Sequence, residues 1–351
     1  MGAALRRATG DGRHKPGRRT RHLFVVGLAV LFVAVFLASF MIGAYPVTLR
    51  ELLAVLVGKA TGAAPTWPAS VELVIVSIRL PRILAGTLIG AGLAVAGAAY
   101  QGLFRNPMAS PDTLGASAGA GFGAALAIFA GAGYGVVSGS AFLFGMLAVG
   151  GVYLVSVRAR RSPMLGLVLA GIMVASLFNA ATSYVKLVAD PNDVLPSITF
   201  WLMGSLSSVT AHQLLWVVWP VAGGTAVLLA SRWKLNLLTM GDDEAASMGV
   251  NTRAMRAVIV VAATLITAAC VAVSGLIGWV GLVIPHFSRL MVGDDNEVMM
   301  PGAMLMGASF MLLVDDLARS LTTAEIPIGI LTAFVGAPFF LYLILNRGTR
   351  L

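Results

Sequence analysis

The sequence predicts an all-α polytopic membrane protein with about ten transmembrane helices and with both termini in the cytoplasm. Hydrophobic residues fill 58% of the 351 positions and charged residues only 11%, and the mean hydropathy is +0.90. A soluble domain carries about 25% charged residues, so this composition argues against an ordinary soluble protein. The apolar residues fall into runs of about 20, the length that crosses a bilayer as a helix.

Residues 1–22 are strongly basic, with seven Lys or Arg side chains and no apolar core. The apolar run that follows, 23–45, is too long for the core of a signal peptide and lacks a clear small-residue cleavage site. We therefore expect this run to be retained as the first membrane span. The predicted organisation is a cytoplasmic tail at 1–22 followed by one membrane domain at 23–347.

Ten apolar runs are separated by more polar connections. The eighth run is short, and only the region around Gly275 separates it from the seventh, so these two could be mistaken for one long helix. Two pairs of glycines are spaced four residues apart, Gly86 with Gly90 and Gly115 with Gly119. This spacing suits close packing between membrane helices. The predicted spans are 23–45, 80–103, 114–133, 136–157, 165–188, 210–231, 257–274, 276–292, 299–321 and 327–345.

The distribution of basic residues predicts the orientation of these spans. Cytoplasmic connections of membrane proteins are enriched in Lys and Arg. With the N-terminus inside and the spans alternating in direction, 18 of the 24 Lys and Arg fall inside and six outside. This asymmetry supports an even number of spans with both termini in the cytoplasm. It also accounts for the net charge of +9 without a nucleic-acid partner.

Two segments predicted to lie outside are more than simple connections. The segment 46–78 is long and contains three prolines, Pro46, Pro65 and Pro68. The segment 190–208 includes LPSITFWLMGSLSS, which is too short and too polar to span the bilayer. We expect 190–208 to form a short helix at the outer surface.

An acidic cluster, GDDEAASMGVN at 241–251, stands out among the predicted cytoplasmic segments. The residues that follow its acids favour a helix, and Gly249 is suited to ending one. The pattern predicts a short cytoplasmic helix between the sixth and seventh spans. Composition alone leaves an ordinary solvated loop equally open.

The stretch RLPRILAGTLIGAGLAVAGAAYQGLFRNPMASPDTLGASAGAGFGA at 79–124 resembles the signature of the FecCD/BtuC-type permeases. These are the membrane subunits of type II ABC importers for ferric siderophores, heme and cobalamin. Further motifs are similar to the family's in order and spacing, and the resemblance covers about 23–347. These motifs are FWLMGSL at 200–206, GDDEAASMGVN at 241–251, GLIGWVGLVIPHFSRL at 275–290 and EIPIGILTAFVGAPFFLYLI at 325–344.

The resemblance implies a BtuC-like fold and a homodimer that works with two cytoplasmic ATPase subunits and an extracytoplasmic substrate-binding protein. ATP and Mg²⁺ would be bound by the ATPase, with no cofactor in this chain. The sequence agrees, because the Gly58–Lys59 pair is followed by Ala60 and therefore cannot complete a phosphate-binding P-loop;. We expect a transport subunit in the bacterial or archaeal inner membrane, not an enzyme.

The resemblance also implies roles for individual residues. Coupling helices at about 236–256 would dock on the ATPase, and Arg79, Arg82 and Arg319 would receive acidic residues of the binding protein, although interfacial anchoring is the alternative for such arginines. Met164 and Leu165 fall where relatives place a cytoplasmic gate, which here would be hydrophobic. The coupling contacts are expected at Asp242, Asp243, Glu244, Ser247, Met248 and Gly249.

The sequence leaves the substrate open. A ferric siderophore is expected as the commonest cargo of such permeases, whereas heme, cobalamin or an oxyanion such as molybdate is the alternative. An ion-coupled secondary transporter is disfavoured because no acid lies in the middle of a predicted span; a receptor without transport is the other alternative. His286 is expected to be structural, and Asp315 is expected to pair with Arg319 four residues later on the same helix.

Overall fold

The computed structural model describes residues 18–43, 45–62, 64–158 and 163–347, without the side chains of 18–20, 156–158, 163–165, 343–344 and 346–347. The described chain is helical, and no strand occurs in these ranges. The helices are α1 Arg18–Ser39, α2 Leu49–Thr61, α3 Ala69–Glu72, α4 Leu80–Phe104, α5 Ala116–Phe129, α6 Tyr134–Arg158, α7 Pro163–Val188, α8 Val194–Met203, α9 Ala211–Ala230, α10 Arg232–Met240, α11 Asp242–Ser247, α12 Thr252–Ser274, α13 Val280–Val292, α14 Asn296–Ala318 and α15 Ile328–Arg347.

The predicted all-α membrane fold is confirmed, and each predicted span corresponds to a helix of the described chain. Seven helical segments in these ranges are long and apolar enough to cross a membrane. The remaining predicted spans correspond to the shorter apolar helices α5, α13 and α15. We call the end of the bundle that carries α2 and α8 the outer end, and the end that carries α10 and α11 the inner end.

Helix α4 lies at the centre of the bundle, and its second half is buried almost completely. Two glycines allow other helices to approach its backbone. A Cβ atom on Gly90 would lie 2.3 Å from the carbonyl oxygen of Gly307 in α14, and one on Gly97 would lie 1.8 Å from that of Gly281 in α13. Since real Cβ atoms are not found this close, both contacts require glycine. This confirms that Gly90 is a packing residue.

The outer segment 46–78 contains a helix, α2, that the sequence analysis did not predict. Thr48 and Glu51 form a reciprocal capping box at its start;. These hydrogen bonds to the backbone and side chain of Thr48 hold the pKa of the Glu51 carboxyl below its usual range. Leu52 and Val55 are buried in a cluster with residues of α1, α4 and α14. The prolines lie outside α2, so they do not prevent it.

The boundary between the seventh and eighth spans lies at the predicted position. Helix α12 ends at Ser274, and Gly275 has a φ of +67°, which an L side chain adopts at a cost;. The next four residues are not helical, and Trp279 also has a positive φ, +71°. The chain therefore turns sharply before α13, and one continuous helix is excluded.

The turn between α4 and α5 enters the bundle. A short 3₁₀ helix spans Pro111–Leu114, and the ring of Pro111 lies against Gly281. Asp112 lines a cavity of about 230 Å³ together with Leu93 and Thr267, which are interior residues of α4 and α12. No acid lies in the middle of a predicted span, yet this turn brings Asp112 beside interior residues of two spans.

Candidate functional site

The inner-end segment between α9 and α12 forms two short helices fixed to the bundle. Leu235 and Leu238 of α10 are buried, and Leu235 packs on Gly102 of α4. Asn236 donates from Nδ2 to Asp295, 2.8 Å, and accepts through Oδ1 from the Nδ2 of Asn296, 2.7 Å. The segment is therefore connected rigidly to the first turn of α14. This anchor was not predicted from the sequence.

The acidic cluster forms helix α11, as the sequence pattern predicts. The helix begins at Asp242, and Gly249 has a φ of +82° just beyond its end. Asp242 forms an ion pair with Arg256 of α12 at 2.5 Å, so its charge is engaged within the subunit. The other predicted contact residues are exposed: Asp243, Glu244, Ser247, Met248 and Gly249.

Two methionines give this surface an apolar component. Met240 and Met248 flank α11 and expose 64% and 54% of their surface. The acids and methionines together make a compact, mixed surface at the inner end, and adaptable methionine side chains are common at contact surfaces. Met248 was predicted as a contact residue. Met240 was missed, because a methionine at the end of the short helix α10 gives no sequence signal of its exposure.

A second polar contact at the inner end joins α4 to α13. Arg289 donates to the Oε1 of Gln101 at 2.9 Å, and Gln101 donates in turn to the carbonyl of Leu282 at 3.0 Å. His286 is buried and lies edge-on to Phe339 of α15, with ring centroids 6.3 Å apart. These positions are consistent with the structural role expected for His286. Among the described residues, no group of three His, Cys, Asp or Glu side chains has the arrangement of a metal site.

The outer end contains a cluster of paired charges centred on Arg82. This side chain donates from Nε and Nη2 to the carboxylate of Asp315 at 2.8–3.0 Å, and from Nη1 to Glu325 at 2.8 Å. The side chains of Arg82 and Asp315 are 8% and 1% exposed, whereas that of Glu325 is 40% exposed. One guanidinium thus joins α4, α14 and the connection to α15.

The other two predicted arginines are engaged in the same region. Arg79 is buried and donates to the backbone carbonyls of Phe40 and Tyr45. Arg319 lies 3.6 Å from Asp315, which confirms the predicted pair, and it also pairs with Asp316. Arg319 also donates to the backbone carbonyls of Ser39 and Ile42, so both guanidinium groups hold the end of α1 and the chain after it against the bundle.

These arginines lie at the end of the bundle that carries α2 and α8, and among their carboxylate contacts only the Asp315–Arg319 pair was predicted from the sequence. Arg79, Arg82 and Arg319 lie together with three carboxylates, those of Asp315, Asp316 and Glu325. The arginines are therefore largely neutralised and buried within the subunit. Docking of a binding protein on them stays a prediction, and an incoming carboxylate would have to approach beside Glu325, the exposed member of the cluster.

The predicted gate lies at the start of α7. Met164 and Leu165 belong to this helix, but their side chains lie outside the described residues. Farther along α7, Met173 and Leu177 are 72% and 69% exposed. On α15, Phe334 is 74% exposed. These two helices thus present large apolar surfaces that the subunit itself does not cover.

Comparisons with known proteins agree with this architecture. The model of the FecCD transport family matches residues 31–346. The chain is 42% identical to a molybdate import system permease of Haemophilus influenzae, covering 92% of this chain and 96% of that protein. It is 38% identical to a cobalamin import system permease of Halobacterium salinarum, over 92% and 95% of the two chains.

A solved structure supports the same assignment. An inward-facing ABC transporter described as of the metal-chelate type is 39% identical and superposes with a TM-score of 0.82. The match covers 92% of this chain and 98% of the other. The chain is therefore a multi-pass inner-membrane protein of the FecCD transport family, a permease subunit of an ABC importer whose ATP hydrolysis takes place in a separate subunit.

Proposed function

We propose that this permease imports an iron chelate, most simply a ferric siderophore, which an extracytoplasmic binding protein delivers. The observation that carries this proposal is the apolar character of the surfaces on α7 and α15. Between Gly166 and Tyr184, and between Ile328 and Tyr342, the described exposed side chains include no charged residue. We propose that these two faces line the transport path. A path lined in this way holds its cargo weakly, so recognition falls to the binding protein.

Charge density favours a chelate over a small ion on such a path. Moving a compact ion into apolar surroundings costs far more than moving a large molecule whose charge is enclosed. In a ferric siderophore the organic ligand surrounds the metal ion and presents its own surface to the protein. The exposed faces of α7 and α15 suit that kind of cargo.

A second candidate is molybdate, and the 42% identity with the Haemophilus influenzae molybdate permease favours it. A hydrated oxyanion could cross the same path without direct contact with the protein. A transport assay that supplies both substrates separates the two candidates.

We further propose that two copies of the chain enclose the path and that two ATPase subunits bind the inner end. The exposed faces of α7 and α15 supply the surface that the second copy would share. The exposed acids and methionines around α11 supply the ATPase contact. ATP and Mg²⁺ belong to the ATPase in this proposal.

The substrate is tested by uptake into proteoliposomes that contain the permease, its ATPase and the binding protein of the same organism. Radioactive iron in a ferric siderophore and radioactive molybdate are supplied in parallel, each with an excess of the other unlabelled. We expect ATP-dependent accumulation of iron that molybdate does not reduce. Accumulation of molybdate without iron would reject the chelate and support the second candidate. Competition by unlabelled cobalamin and hemin tests the two remaining candidate cargoes.

A further inference from the structure

A groove on the side of the bundle lies between α6 and α9, and both of these helices pack on α12 at its floor. It has a volume of about 610 Å³. Ala269 and Ala272 form part of the floor, and Phe142, Trp216 and Pro220 form part of the walls. The interior is apolar except for the hydroxyl of Ser138, and the ends of α6, α9 and α12 that border it are the outer ends.

Two glycines of α6 keep this groove open. Gly135 and Gly139 both line it, and no protein atom lies within 4 Å of the position that a Cβ atom would occupy on either. Small residues in membrane helices usually allow another helix to approach, as Gly90 does in this protein. Here the space is left without any protein group in it.

The mouth of the groove is polar, in contrast to its interior. Tyr134, Thr210, His212 and Gln213 lie around it. The indole N–H of Trp216 donates to Nε2 of His212 at 3.4 Å, so a neutral His212 carries its own hydrogen on Nδ1;. The Tyr134 hydroxyl donates to the carbonyl of Val273 at 2.7 Å and fixes α6 to α12 at this point.

The groove has the depth of one membrane leaflet. His212 and Pro220 are eight residues apart on α9, which corresponds to about 12 Å along the helix. Half of the hydrocarbon core of a bilayer is about 15 Å thick. Trp216 and Trp219 lie on this stretch of α9 and are 71% and 77% exposed, so the surface beside the groove is apolar along its depth.

These observations argue against both water and empty space in the groove. Apolar cavities do not hold water, and an empty groove of this size would forfeit dispersion contacts along its whole lining. We propose that the groove binds one acyl chain of a phospholipid, whose headgroup lies at the polar mouth beside His212 and Tyr134. A flexible hydrocarbon chain fills the space that Gly135 and Gly139 leave open. This proposal does not depend on the transported substrate.

The proposal is tested by counting phospholipids that remain bound after purification in mild detergent, with native mass spectrometry. Gly139→Leu fills the groove. Gly150→Leu is the matched control, because Gly150 lies on the same helix, also has open space around it and does not line the groove. We expect wild type and Gly150→Leu to retain one diacyl phospholipid per subunit that Gly139→Leu lacks. After the bound lipid has been removed with detergent, added phosphatidylglycerol should bind again to wild type and Gly150→Leu but not to Gly139→Leu.

Trp216→Ala provides a second variant that removes a wall without crowding the helices, and it decides the question if Gly139→Leu does not fold. The bound phospholipid should dissociate at lower detergent concentration from this variant than from wild type. Equal lipid counts in folded wild type and Gly139→Leu, or unchanged retention in Trp216→Ala, would overturn the proposal. Dissociation of a dimer by Gly139→Leu would also overturn it, because the groove would then be covered by a second copy.

Discussion

Arg82 shows how a residue that looks like a surface charge in the sequence can be an internal one. Its motif, RLPR, lies at the end of a span and suggests an exposed basic rim. In the structure its guanidinium is enclosed by Asp315 and Glu325. The partners are more than 200 positions away in the sequence, so no local pattern could have revealed them. The pair Asp315–Arg319 was predictable, because four residues on a helix share one face.

The two carboxylates on Arg82 should differ in their contributions to stability. Asp315→Ala leaves a buried guanidinium without its main partner, and such a loss costs about 3–5 kcal/mol. Glu325→Gln changes a partly exposed pair, which is worth about 0.2–1 kcal/mol. We expect a large fall in the thermal unfolding midpoint in detergent for Asp315→Ala and a small one for Glu325→Gln. Equal midpoints for the two variants would show that burial does not distinguish these pairs.

Glu325→Gln also tests whether the arginines receive a binding protein. Removing this negative charge leaves Arg82 less neutralised, so acidic groups of a partner should associate severalfold faster at low salt. The control is Asp193→Asn, which makes the same charge change at an exposed outer position outside the cluster. Association rates are measured by surface plasmon resonance at low and moderate salt. If both variants behave alike, general surface charge and not Arg82 accounts for any effect.

At the level of elements, the sequence predicted the long helices well because each is a continuous apolar run. Helix α11 was predictable because its acids and Gly249 mark a beginning and an end. Helix α2 was missed because the prolines around it suggest a loop. Its buried residues, Leu52 and Val55, pack on residues of α1, α4 and α14, which the local sequence does not reveal. The entry of the 111–114 turn into the bundle also depends on tertiary contact, with Gly281.

The surface around α11 should couple the permease to its ATPase. Asp243→Lys combined with Glu244→Lys reverses two exposed charges without disturbing the Asp242–Arg256 pair. We expect weaker co-purification of the ATPase and a severalfold loss of transport, with unchanged thermal stability of the permease alone. Glu297→Lys, an exposed acid at the same end but on α14, is the control. Normal co-purification of the double variant would place the contact elsewhere.

At the scale of the whole molecule, the charge asymmetry predicts which end faces the cytoplasm. Cys270 is completely buried, so introduced cysteines can be labelled against the natural background. In sealed cells an impermeant thiol reagent should modify Asp193→Cys, just before α8, but not Ser247→Cys on α11. Opening the membrane should expose both. The reverse pattern would contradict the predicted orientation and the even number of spans.

The central claim is that this chain moves cargo only as part of an ATP-driven assembly. The most direct measurement is uptake of the transported substrate by proteoliposomes that contain the permease, the ATPase and the binding protein, with each component and ATP omitted in turn. We predict accumulation against a gradient in the complete system and none after any single omission. Accumulation by the permease alone, driven by an ion gradient and independent of ATP, would contradict the account and indicate a secondary transporter.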